Sequence, residues 1–318
     1  MNPFSPINRR EFIKRVSIAL AGLGVFLKGK WISDLFSESV PSTSSVSALE
    51  IPKRVLGRTE EKVTILGLGG EGVLRTYGRN RPAHQVIEKA LDLGITYYDT
   101  APAYSGSQDY YGESLGERRK NIFLASKTHD RTRDGSLRLL ENSLKRIKTD
   151  HLDLWQLHDL ESMDDLDQIF DERNGAIRAL EEAREQKLVR FFGITGHYDP
   201  KVLVEAMRRY SFDTALVSLN VADKHYSSFI ETVLPVAQEK NVGVIGMKVL
   251  GRGNVFDAGF SLKEAISYVL SLPVSTVIIG CSSPKEVEEN VVVAKAFEKF
   301  TQDRLAELEK RAIPFTGN

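Results

Sequence analysis

The sequence predicts one α/β domain, a (β/α)8 TIM barrel spanning residues 51–318, and three observations carry that reading. Short apolar runs of β type alternate with longer helical stretches in eight successive units over about 250 residues, the size and order of such a barrel. The short runs are continuously apolar, as in strands covered on both faces. No linker interrupts the series, so one domain is expected rather than two.

The elements follow in chain order. Arg54–Arg58 and Lys62–Thr64 predict a small hairpin ahead of the barrel, and Thr64–Leu68 the first main strand. Helix Ala83–Leu93 stops at Gly94, a residue suited to the left-handed C-terminal cap. Strand Ile95–Asp99, a short helix Glu113–Arg118 and strand Ile122–Ser126 come next. Helix Asp134–Ile147 leads to strand Leu152–Gln156, and helix Gly175–Gln186 to strand Val189–Ile194. Helix Lys201–Arg208 leads to strand Thr214–Ser218, and helix Phe229–Glu239 to strand Val242–Met247. Helix Leu262–Ser271 and strand Thr276–Ile279 complete the eight strands. Helix Pro284–Ala296, with proline in its first turn, closes the series, and Gln302–Arg311 adds a last helix.

Composition narrows the function. The 318 residues carry 43 basic and 43 acidic side chains, so there is no basic excess of the kind that duplex binding requires. Nucleic acid is not an expected partner. The single cysteine, Cys281, can form no disulfide within the chain and no cysteine metal cluster, and it reads as a small buried residue.

Residues 1–48 differ from the rest. Arg9 and Arg10, followed by Phe12 and Lys14, precede an apolar run from Val16 to Leu27. That run is shorter than the roughly 20 residues needed to span a bilayer. A short apolar stretch behind a charged start is the plan of a secretory signal. The arginine pair resembles a twin-arginine (Tat) signal, with Ser37–Ser47 as spacer and Val46-Ser47-Ala48 as a small-residue cleavage site. The resemblance implies the Tat export machinery as partner and a periplasmic or extracytoplasmic location. The alternative is a cytoplasmic amphipathic helix.

In such barrels chemistry sits at the C-terminal ends of the strands. Asp99 ends the second strand and Tyr104 follows it, Lys127 ends the third, and His158 follows the fourth. Reducing a carbonyl requires a hydride at carbon and a proton at oxygen. A phenol, with an ordinary pKa of about 10, is a poor acid until a nearby ammonium favours its anion. Lys127 would supply that charge, Asp99 would pair with Lys127, and His158 would donate to the carbonyl oxygen. Each residue alone has an ordinary structural role open to it. Four at consecutive strand ends do not.

Tyr97-Tyr98-Asp99-Thr100-Ala101 with Tyr104, Ala125-Ser126-Lys127 and Gln156-Leu157-His158 resemble the Asp, Tyr, Lys and His tetrad of the aldo-keto reductases. The resemblance runs from Ile51 to Ala296 and includes the family's opening, Arg54–Gly57 and Gly67–Gly70. It implies NAD(P)H-dependent reduction of a small-molecule aldehyde or ketone, with the nucleotide laid across the barrel mouth and NADP(H) preferred over NAD(H). Thr195 would stand for the hydroxyl that holds the nicotinamide amide, while Gly196 lacks the usual asparagine. Ser218 and Asn220 match the loop after strand six, with Leu216 where a glutamine is usual. Met247 and Lys248 match the segment over the pyrophosphate. Gly280, Ser282 and Ser283, ahead of Pro284, offer N–H groups to a phosphate, and Glu289 and Asn290 match the adenine contacts. Glu286 stands where an arginine often grips the 2′-phosphate.

Two other classes fit some of these features. Gly67-Leu68-Gly69-Gly70-Glu71-Gly72 fits G-x-G-x-x-G after a strand, the mark of a Rossmann-type dehydrogenase, but no helix begins at its third glycine. A non-catalytic nucleotide-binding regulatory barrel is the other. Substrate choice is expected to rest on Arg75–Arg81, Asp130–Arg133, Asp223–Ser228 and Gly251–Gly259, and His129 and His197 could face the pocket.

Overall fold

The computed structural model describes residues 49–315 apart from 226. The twin-arginine segment and its spacer lie outside the described residues. Among the described residues, no helix is long and apolar enough to cross a membrane.

Strands β1 (Lys53–Val55) and β2 (Lys62–Thr64) form the antiparallel hairpin foreseen from the sequence. Eight parallel strands then close on themselves: β3 (Leu66–Gly72), β4 (Tyr97–Asp99), β5 (Phe123–Thr128), β6 (Leu152–Leu157), β7 (Val189–Gly196), β8 (Thr214–Ser218), β9 (Gly243–Met247) and β10 (Thr276–Cys281), with β10 beside β3. Closure removes both sheet edges. It also overturns the Rossmann alternative, which needs an open sheet. The glycine-rich segment is strand β3 itself rather than a phosphate loop after a strand. The first barrel strand therefore begins two residues later than the apolar run suggested, and Thr64 belongs to the hairpin.

Helices α1 (Asn80–Asp92), α2 (Ser107–Ser114), α3 (Arg133–Ile147), α4 (Met163–Ile169), α5 (Ala176–Glu185), α6 (Pro200–Arg209), α7 (Phe229–Glu239), α8 (Asn254–Asp257), α9 (Leu262–Ser271), α10 (Pro284–Lys295) and α11 (Gln302–Ala312) follow the strands. Three differences from the sequence reading stand out. The helix placed at Glu113–Arg118 is instead α2, ending at Ser114, followed by a 3-10 turn at Gly116–Asn121. Gly116, at φ 45°, breaks the α pattern there. Helices α4 and α8, of 7 and 4 residues, were not foreseen, being too short to show a helical period.

Side chains alternate across each strand, and this places the site. Tyr98, Leu124, Trp155, Phe192, Ala215 and Val277 point outward into the core shared with the helices. Their neighbours point inward: Tyr97, Phe123 and Leu154 form an apolar layer with Leu216, Ile245 and Ile278. Tyr97 and Phe123 stack at 5.6 Å, and Phe191 stacks on Phe123 at 6.1 Å. Leu56 and Val63 of the hairpin belong to this inner layer and plug the N-terminal end. The plug requires glycine at 57. Its φ is 54°, and a Cβ there would lie 2.1 Å from the Gly243 amide nitrogen. The next inward positions up from Tyr97, Ala125 and Leu154 are Asp99, Lys127 and Gln156. Period-2 geometry thus carries the polar residues into the barrel on top of its apolar floor.

Candidate active site

Asp99 closes β4, and Lys127 sits within β5 with only 1 % of its surface exposed. Lys127 Nζ donates to Asp99 Oδ1 at 2.5 Å and to the Thr100 carbonyl at 2.9 Å. Gln156 Nε2 donates to Asp99 Oδ2 at 3.3 Å. Tyr104, in the loop after β4, lies across this pair, its ring centre 4.7 Å from Lys127 Nζ. The His158 ring meets the Tyr104 ring edge-on at 5.8 Å. The four residues named from the sequence therefore converge on one point at the C-terminal mouth.

Electrostatics assigns their states. Desolvation pulls the Lys127 pKa down, but Asp99 and Tyr104 more than offset this and the net shift is upward, so Lys127 is a charged ammonium. Burial raises the Asp99 carboxyl and Lys127 opposes the rise; the 2.5 Å contact makes the two an ion pair. Burial also raises Tyr104, with Lys127 pulling it down and Asp99 adding to the rise. By itself the ammonium would lower the phenol's pKa. In the folded protein burial wins, and Tyr104 rests as the neutral phenol with its proton in place. His158 is pushed down to about 2, first by burial and then by the Lys127 charge, so it is a neutral imidazole and a single N–H donor.

Two cavities meet at Tyr104. One, of about 400 Å³, is walled by Tyr104, His158, His129, His197, Asp159 and Arg131. Arg131 fixes the His158 loop: its guanidinium donates to the His158 carbonyl at 2.7 Å, to the Asp159 carbonyl at 2.6 Å and to Asp165 Oδ1 at 2.7 Å. Arg75 lies 5.2 Å over the Tyr104 ring and pairs with Glu71 at 2.6 Å. Sequence reading marked Asp130–Arg133 as a substrate loop but gave Arg131 and Asp159 no role. The signal, an arginine three residues past a strand end, is too common to single out.

The second cavity, of about 390 Å³, is a groove running from Asp99 and Tyr104 past Met247, Lys248 and Gly280 to Ser282. Its shape and chemistry fit an extended nucleotide. Gly69 and Gly70 line it, and a Cβ on Gly70 would press on the Tyr104 ring. Thr195 Oγ1 is buried at the end of β7 and has no hydrogen-bond partner among the described residues, and Thr195 is not among the residues that line the groove. Lys248, held at φ 55°, presents a cation. Ser218 is bonded to His197 Nδ1 at 3.3 Å, and Asn220 Oδ1 accepts from the Ala222 amide at 2.9 Å.

Past the end of the groove, Ser283 caps α10 by accepting from the Glu286 amide at 3.3 Å. Asn290 is buried with its Nδ2 on Cys281 Sγ at 3.4 Å, and Glu289 pairs with Lys285 at 3.6 Å. The Glu286 carboxylate accepts from the Ser282 amide at 2.8 Å, taking up an N–H that a phosphate would otherwise use.

Residues 65–260 match the aldo/keto reductase family. L-galactose dehydrogenase of Arabidopsis thaliana is 28 % identical over 308 residues, covering 83 % of this chain and 94 % of that protein. The solved holo form of aldo-keto reductase AKR11C1 from Bacillus halodurans is 25 % identical with a TM-score of 0.71, covering 83 % of this chain and 96 % of that one. An aldo-keto reductase from Klebsiella pneumoniae in complex with NADPH, 21 % identical, shares the fold with a TM-score of 0.67 over 81 % of this chain and 94 % of that one. A closed barrel with this tetrad at its mouth, matched over most of its length, makes the chain a member of the aldo/keto reductase family.

Proposed function

We propose that this protein reduces the carbonyl of a polar small molecule to an alcohol with NADPH, Tyr104 giving the proton. One observation carries the reading: Lys127 Nζ, locked to Asp99 at 2.5 Å, faces the Tyr104 ring at 4.7 Å with neutral His158 beside it. A bound nicotinamide supplies the hydride. His158 donates a hydrogen bond to the carbonyl oxygen and holds it against Tyr104. As negative charge develops on that oxygen, Tyr104 transfers its phenolic proton. The phenolate left behind is stabilised by Lys127, whose own charge Asp99 maintains. Lys248 would hold a phosphate of the nucleotide, and Thr195 its amide.

NADP(H) is the family's habit; Glu286 at Ser282 works against a 2′-phosphate and makes NAD(H) the competing cofactor. The polar walls of the Tyr104 cavity favour a hydroxylated or otherwise polar carbonyl over an aromatic one. Consumption of NADPH and NADH with a panel of aldehydes and ketones tests the reading. Tyr104→Phe should abolish turnover and leave cofactor affinity intact; ordinary turnover in that variant refutes the mechanism, and cofactor binding without turnover on any carbonyl would favour a regulatory barrel.

Export is the other part of the reading. Its support is Arg9-Arg10 ahead of a short apolar run. Fractionation of cells expressing the full chain, with and without Arg9→Lys and Arg10→Lys together, tests it. Cytoplasmic retention of both forms refutes it.

A further inference from the structure

Tyr104 sits on a short segment tied down at both ends. Two backbone turns fold it: the Tyr104 amide donates to the Ala101 carbonyl at 3.0 Å, and the Ser107 amide donates to the Tyr104 carbonyl at 2.8 Å. At the near end the Thr100 carbonyl accepts from Lys127 Nζ at 2.9 Å, and the Thr100 hydroxyl donates to Ser107 Oγ at 2.8 Å. At the far end Gln108 Nε2 donates to Ser126 Oγ, the neighbour of Lys127, at 3.1 Å and to Ser143 Oγ of α3 at 2.9 Å. Thr100, Ser107, Gln108, Ser126 and Ser143 are all fully buried.

The middle of the segment is held differently. Ser105 directly follows the proton donor and stands at φ 40°, in the left-handed region where a residue with a side chain is strained. Its carbonyl accepts from Arg146 Nη2 at 2.7 Å. Asp109 holds the same guanidinium by two prongs, Oδ1 accepting from Nε at 2.9 Å and Oδ2 from Nη2 at 2.8 Å, which fixes its plane. Arg146 reaches the segment because α2 lies directly on the last turn of α3: a Cβ at Gly112 would stand 2.1 Å from the Arg146 carbonyl oxygen. Neither Arg146 nor Asp109 lines the two cavities that meet at Tyr104, so any effect on the reaction passes through Tyr104.

We infer that Arg146, oriented by Asp109, is a positioning residue for the reaction: by holding the Ser105 carbonyl it keeps a strained residue beside the proton donor in the conformation that lays the Tyr104 ring across Lys127. Without that bond Ser105 relaxes toward negative φ, and the turns on either side of it carry Tyr104 along. What is lost is the 4.7 Å approach of the ring to Lys127 Nζ. This inference rests on the reading of Tyr104 as proton donor given above.

The experiment measures kcat, KM, NADPH affinity and Tm for Arg146→Met and for Arg146→Met with Ser105→Gly, using the best carbonyl of the panel above. In Arg146→Met kcat should fall on the order of 10²-fold, the cost of roughly 1 Å at a reacting group, while KM and NADPH affinity stay near parental values. Glycine takes a positive φ without strain. Adding Ser105→Gly should therefore regain about 10-fold in kcat, the scale of one strained residue relieved, without regaining the Tm lost with the ion pair. A merely structural Arg146 would lose kcat and Tm together and gain nothing from the glycine. Hydrogen exchange on the cofactor-free protein is an independent readout, and the amides of residues 101–107 should exchange faster in Arg146→Met. If that variant does not fold, Arg146→Lys, which keeps the charge and loses the planar fork, carries the test. Parental kcat, unchanged exchange over 101–107, or a loss that Ser105→Gly does not restore overturns the positioning role while carbonyl reduction stands. A full chain that turns over no carbonyl of the panel would instead remove the reductase reading, and the role of Arg146 with it.

Discussion

Gly70→Ala should disable the site without substituting any of its four polar residues. A Cβ at position 70 would lie 2.6 Å from Tyr104 Cδ2, 2.8 Å from the Asp99 carbonyl oxygen and 3.1 Å from Thr100 Cα. The carbon–carbon optimum is about 3.5–4.0 Å, so the Tyr104 ring must retreat by about 1 Å or β3 must move away from β4. Retreat of the ring relieves only the first of these contacts, so β3 also eases off the Asp99–Thr100 backbone at some cost in stability. A misplacement of about 1 Å at a reacting group costs on the order of 10²-fold in rate, or roughly 2.7 kcal/mol. Steady-state kcat/KM with any accepted carbonyl is the assay, together with cofactor affinity and thermal unfolding. Gly67→Ala is the control: its Cβ would meet Tyr97 Cδ1 at 2.8 Å, pressing on the apolar layer and not on Tyr104. It should cost stability and leave the catalytic ring in place. A Gly70→Ala enzyme with parental kcat/KM would show that the Tyr104 position is not set by β3.

Four other outcomes follow from the same geometry. Lys127→Met strands the buried Asp99 carboxylate and should destabilise the fold by about 3–5 kcal/mol, part of it regained on adding Asp99→Asn; denaturant unfolding that matches the parent would contradict the ion pair. His158, pushed down to about 2, stays neutral at ordinary pH, so kcat/KM for reduction should show no limb near its ordinary value of 6.5 that belongs to His158. The rate should instead fall on the alkaline side, where Tyr104, raised above its usual 10, loses its proton; a histidine limb abolished by His158→Gln would refute this. The depressed folded pKa of His197, about 3, sets the sign of a stability effect. Below about 6.5 the unfolded chain takes up the proton and the folded one does not, so stability falls as pH drops, by up to about 1.4 kcal/mol per pH unit. The loss of Tm between about pH 7 and 5 should therefore shrink in His197→Phe. Glu286→Gln removes a carboxylate beside the Ser282 amide and should shift the NADPH-to-NADH affinity ratio toward NADPH by roughly 5–10-fold, the scale of about 1 kcal/mol for one screened charge; fluorescence titration with each cofactor reads it.

The sequence by itself determined the barrel, because eight alternations of buried strand and amphipathic helix admit few other closed arrangements. It also determined the tetrad. The period of two along a strand puts Asp99 two places beyond Tyr97 and Lys127 two places beyond Ala125, on the same inner face. Boundaries were less legible where the signal was local. The first barrel strand, read as Thr64–Leu68, runs on through the glycines to Gly72, because what demands glycine at 67 and 70 is the approach of Tyr97 and Tyr104 from neighbouring segments. Helices α4 and α8 are too short to declare a period. The tertiary structure alone decided the balance of forces on Tyr104, since burial and a neighbouring ammonium act in opposite directions and only packing sets their sizes. It alone decided which loop residues wall the substrate cavity. Asp159, Arg131 and His197 come from the ends of different strands, and their meeting depends on closure of the barrel, which brings together residues far apart in the chain.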